Sequence, residues 1–123
     1  MRLKGLLVAS LVLSSGFGSP TAAKGDLSDT STAELWSFYI HQAGLAYGAA
    51  QGCQGGQSVV NDFSEMVENF MPSAKDRIAA WQLFERMASL ESASKCDWHF
   101  AEKEHREFLQ RSLTLLQRIK SEM

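Results

Sequence analysis

The sequence predicts an all-α fold, with four helices running up-down-up-down and one disulfide as a staple. Three observations predict it. Apolar residues recur at spacings of three and four along four segments, without sustained alternation and with few β-branched residues. Helix-start signals and a proline break separate those segments. The only two cysteines, Cys53 and Cys96, fall just past the end of the first segment and at the start of the last.

The 123-residue chain opens with two basic residues, Arg2 and Lys4, before the short apolar run Leu6–Leu13. Small residues follow and end in Thr21-Ala22-Ala23. This is the pattern of a secretory signal peptide, residues 1–23, cut after Ala23. The run falls short of the about 20 apolar residues that span a bilayer. Residues 24–30 read as a polar, mobile lead-in, and residues 31–123 as one helical bundle domain.

The first helix starts at Ser31. Ser31-Thr32-Ala33-Glu34 is a capping box, in which the serine hydroxyl and the glutamate each satisfy a free backbone N–H. It runs to about Gln51 and stops at Gly52, Gly55 and Gly56. The second covers Ser58 to Met71 with one apolar stripe, Val59, Val60, Phe63, Met66, Val67, Phe70 and Met71. Pro72 ends it, because the residue before a proline is pushed out of the helical region. The third starts behind Ser73, with Asp76 three residues on, and carries Ile78, Trp81, Phe84, Met87 and Ala88. The fourth is expected behind Ser94, with Cys96 in its first turn, and runs to about Lys120. Its core face is Ala101, His105, Phe108, Leu109, Ser112, Leu115, Leu116 and Ile119.

Short connections make sequential helices antiparallel neighbours. The end of the first helix and the start of the fourth then lie at the same end of the bundle. Cys53 and Cys96 are expected to bridge there, in a chain bound for an oxidising compartment. Closing that loop stabilises by about 4 kcal/mol on chain-entropy grounds.

Loss of Arg2 and Lys4 with the leader leaves ten basic against fourteen acidic side chains. That balance argues against nucleic acid and anionic membrane surfaces as partners. No nucleophile elbow, phosphate loop or zinc signature occurs, and no catalytic residue or cofactor is expected. Glu102 and His105 have the Glu-x-x-His spacing of di-iron bundles, but its second copy and further carboxylates are missing. His105 also sits where a haem ligand could stand, with His41 at a similar height, yet a buried structural histidine is the simpler reading. Leu113-Thr114-Leu115-Leu116-Gln117 resembles the Leu-Thr-x-x-Gln string of periplasmic stress proteins, and it occurs once. In size, export and a single disulfide the chain resembles acid-activated periplasmic chaperones and the helical immunity proteins of type VI amidase effectors. No motif carries either likeness, so no residue role is transferred.

Excess apolar surface is the more informative signal. In the first helix Trp36, Tyr39, Ala43, Ala46, Tyr47 and Ala50 form one stripe, while Phe38, His41, Leu45 and Gly48 lie round the other side. In the third, Leu83, Met87 and Leu90 stand apart from Ile78, Trp81 and Phe84. Helices apolar round most of their circumference are either central or part of an interface, and no helix of a simple four-helix bundle is central. Gly44 and Gly48 would let another backbone approach closely. Phe38, His41, Leu45, Gly48, Leu83, Met87 and Leu90 are therefore the expected partner-binding residues. The expected function is that of an exported, non-enzymatic binding protein, its partner another protein or a second copy in a homodimer. A periplasmic acid or stress chaperone and a metal- or haem-binding bundle are the alternatives.

Overall fold

The computed structural model describes residues 30–91 and 95–123, and its regular elements there are four helices. They are α1 (Thr32–Gln51), α2 (Gln57–Phe70), α3 (Ala74–Glu91) and α4 (Trp98–Ser121). The proposed leader and all but the last residue of the lead-in lie outside the described residues, as does Ser94.

Three of the four helices start where a side chain satisfies a free backbone donor, whereas α2 starts behind Gly56 with no side-chain cap. Ser31 Oγ accepts from the Glu34 N–H at 3.1 Å, and the Ser31 N–H donates to Glu34 Oε1 at 3.1 Å, so the capping box is complete. Ser73 Oγ accepts from the Asp76 N–H at the head of α3. The fourth helix is capped one turn later than expected. Asp97 is its N-cap and accepts from the Phe100 N–H at 3.1 Å. Cys96 therefore precedes the helix and does not sit in its first turn. An aspartate at this position caps as well as serine does, so the sequence offered two starts.

The turn out of α1 uses its glycines unevenly. Cys53 and Gly55 both donate backbone N–H bonds to the Ala50 carbonyl at 2.9 Å. Gln54, not a glycine, takes the left-handed conformation at φ 59°, and Gly56 follows at φ 99°. A Cβ on Gly56 would also stand 2.8 Å from the Tyr47 ring. At the next corner, Arg77 donates to the carbonyls of Met71 and Pro72, both at 2.8 Å, and ties α2 to α3.

The helix α1 is central, contrary to expectation. It packs along both α3 and α4 and touches α2. Tyr39 is fully buried, with its ring stacked on Phe63 of α2 at 5.8 Å and on Phe108 of α4 at 5.5 Å. On the α3 side, a Cβ on Gly44 would stand 2.5 Å from the Phe84 carbonyl oxygen and 2.7 Å from Met87 Cβ. The close backbone approach that Gly44 permits is thus made by the chain's own third helix. Against α4, Gln42 Nε2 donates to the Glu104 carbonyl at 3.0 Å and to Glu104 Oε1 at 2.6 Å.

α4 runs back along α1 in the opposite sense. The Cys53–Cys96 disulfide joins them at one end, with Cα atoms 4.7 Å apart. Arg111 lies over the Phe38 ring further along. At the far end Thr32 Oγ1 donates to Glu122, and Arg118 donates to the Thr30 carbonyl.

Helix α2 keeps its single stripe, with Val59, Phe63, Met66 and Val67 buried. Phe63 stacks on Phe84 at 4.6 Å and meets Trp81 edge-on at 4.7 Å. Two expected core residues lie outside. Ile78 and Leu109 are exposed, and Ala80 and Glu104 hold buried positions in their helices. In each case the buried face is rotated by part of a turn from the one read by counting large apolar residues.

Candidate interaction surface

The expected partner-binding residues do not make a free face. Gly48 is buried, and Phe38, His41, Leu45, Leu83 and Met87 are half-buried. Phe38 and Leu83 pack against the core. His41 Nδ1 is bonded to the Ser37 carbonyl of its own helix at 3.0 Å. Only Leu90 among them is exposed. The physical reason is the central position of α1, whose flanks are covered by α3 and α4.

Among the described residues, an uncovered apolar stripe lies on α4. Its buried face carries Ala101, Glu104, Phe108 and Leu115. Next to that face, Trp98, Leu109 and Leu113 are 64%, 49% and 58% exposed. At about 100° per residue these three side chains fall within about 60° of one another. His105 and Leu116, both half-buried, lie on the same line. His105 is therefore a boundary residue, not a largely buried one, and its ring meets Phe108 edge-on at 6.1 Å.

At the disulfide end the stripe opens into a cleft of about 440 Å³. Ala50, Gly55 and Gly56 line one side of it. Trp98, Ala101, Glu102, His105 and Arg106 line the other. Glu102 and Arg106 are exposed at the rim and bring both signs of charge to it. This is a hydrogen-bonding rim around an aromatic and aliphatic strip, the make-up of a contact surface. Glu102 and His105 do come together here. Among the described residues, however, no group of three histidine, cysteine or acidic side chains could hold a metal ion.

Two buried polar groups lie away from the cleft. Glu104 is 8% exposed; besides its bond from Gln42, it has the Lys103 ammonium 3.9 Å away. Tyr39 Oη is buried, with no hydrogen-bond partner among the described residues. Burial, and secondarily the Asp62 carboxylate, hold its phenol well above the usual range.

Trp98 and Leu113 were missed by the sequence reading, which assigned the fourth helix a single face. The signal was present as Trp98, Glu102, His105, Leu109, Leu113 and Leu116 at spacings of four, three, four, four and three. No family model, curated protein or solved structure matches the chain.

Proposed function

We propose that this chain is a small exported binding protein without catalytic chemistry of its own, acting through protein–protein contact at the exposed face of α4. Under this reading residues 1–23 are removed on export, and the mature helices run up-down-up-down. The observation that carries it is the alignment of Trp98, Leu109 and Leu113, all about half exposed or more, on one helix face. Single exposed apolar residues are ordinary on protein surfaces, whereas an aligned set with a polar rim marks a contact site. The disulfide fits an oxidising compartment. Among the described residues no helix is long and apolar enough to cross a membrane. Of the expected partner face on α1 and α3, Leu90 alone is exposed.

The test is capture of partners from an extract of the native host's secreted or periplasmic fraction. Bait carrying Leu109→Ser and Leu113→Ser should lose a partner that the wild-type chain retains, while its melting temperature stays within a few degrees. Equal capture by both baits would remove α4 from the account. Light scattering at neutral and acidic pH checks the chaperone alternative, which requires association or client protection that appears only in acid.

A further inference from the structure

From the α4 face we infer a specific occupant, a second copy of this chain bound antiparallel along α4; the inference rests on the contact role proposed for that face. Self-pairing follows from how charge is placed around the stripe. Glu102 and Lys120 are both exposed, and neither has an ion-pair partner among the described residues. Both lie within about 40° of Leu109 on the helix wheel. They stand eighteen residues apart, or about 27 Å, with Leu109 and Leu113 between them.

A twofold axis at the level of residue 111 has a definite consequence. It sets Leu109 of one copy against Leu113 of the other, twice, and Glu102 against Lys120, twice. An isologous contact requires this reciprocity, because residue i meets j wherever j meets i. A parallel pair would instead set Glu102 beside Glu102 and Lys120 beside Lys120, with like charges opposed. Shifting the axis to residue 109 would pair the two Leu109 side chains but place Glu102 against Leu116. The register at 111 pairs Leu109 with Leu113 and Glu102 with Lys120; it sets Arg106 beside Leu116 at the rim and leaves Trp98 beyond the end of the contact.

The size of the face sets the strength. About 27 Å of helix some 10 Å wide gives about 540 Å² over both copies, well below the roughly 1,200–2,000 Å² of stable complexes. The dimer is accordingly reversible, with a Kd between about 10 µM and 1 mM. Its charged pairs sit at the ends of the strip in water and are screened by salt.

Sedimentation equilibrium of the oxidised chain purified from its host, from about 10 µM to about 1 mM, tests this. The wild-type chain should show a monomer–dimer equilibrium that weakens as salt is raised. Glu102→Lys and Lys120→Glu should each weaken it by about three- to tenfold, and the two together should restore it. Leu109→Glu should weaken it by tenfold or more while leaving the melting temperature nearly unchanged. A wild-type monomer at about 1 mM overturns the proposal, as does a double charge swap that fails to restore association. If the chain is monomeric and Leu109→Glu still loses a captured partner, self-pairing fails and the contact role of α4 stands. If neither association nor capture responds to Leu109→Glu, both fail.

Discussion

The first and last helices carry the same kind of pattern in sequence and end in different surroundings. Both have large apolar residues on more than one face. Along α1 the second face is taken up inside the fold, because α3 meets it at Gly44 and α4 meets it at Gln42 and Phe38. Along α4 the second face, Trp98, Leu109 and Leu113, has no helix over it among the described residues. Small residues make the difference. Gly44, Ala43 and Ala46 are buried in α1 and let neighbours close in, whereas α4 presents long side chains all round and is approached closely from one side. A two-faced helix is thus central when small residues let neighbours seat on it, and a candidate interface when they do not.

The largest expected effect comes from breaking the covered side. Phe108 is fully buried and stacks on Tyr39. Phe108→Ala should lower unfolding free energy by about 3–5 kcal/mol, read by urea denaturation. A loss under about 1 kcal/mol would mean that α4 is not seated on α1 as described.

Gly44→Ala sharpens the comparison at the α1–α3 crossing. Alanine is favoured over glycine within a helix by up to about 1 kcal/mol. Here its methyl would meet a backbone carbonyl oxygen at 2.5 Å, and backbone cannot swing aside as a side chain can. The clash outweighs the propensity gain, and a net loss of about 1–3 kcal/mol is expected from thermal melting. Stabilisation by Gly44→Ala would place α3 further from α1.

Tyr39→Phe should have a smaller effect of opposite sign. The buried Tyr39 hydroxyl, unpaired among the described residues, costs about 1 kcal/mol, so its removal should raise the melting temperature slightly at neutral pH. The phenol's pKa in the folded chain stands above its unfolded value of about 10. The neutral form is therefore the one the fold favours. Stability from this group is full below about pH 10 and falls as the pH rises beyond it. The phenylalanine variant should lose that part of the alkaline decline, measured as unfolding free energy against pH from about 8 to 11.

Much of the fold was legible because it is written locally. The capping box at Ser31 and Glu34, the stop at Pro72 and the single stripe of α2 depend on neighbours in sequence. The disulfide was legible at one remove, from the order of helices and the position of each cysteine. What could not be read was which helix lies in the middle. Gly44 permits a close approach but does not say whether the approaching backbone belongs to the same chain. The exact rotation of α3 and α4 was also hidden, since Ala80 and Glu104 are buried where Ile78 and Leu109 looked the better candidates. Small and charged residues at those positions are selected by their neighbours in space, which spacing along the chain does not reveal.

The most direct test of the contrast between α1 and α4 is the urea unfolding free energy of two double variants, compared with the wild-type chain. One carries Phe38→Ser with Leu83→Ser, and the other carries Leu109→Ser with Leu113→Ser. Phe38 and Leu83 pack against the core, so the first should lose about 2–5 kcal/mol. Leu109 and Leu113 are about half exposed, so the second should lose only about 1 kcal/mol under monomeric conditions, from helix propensity and partial burial. Equal losses in the two, or the larger loss in the second, would contradict the account and place the α4 stripe inside the fold.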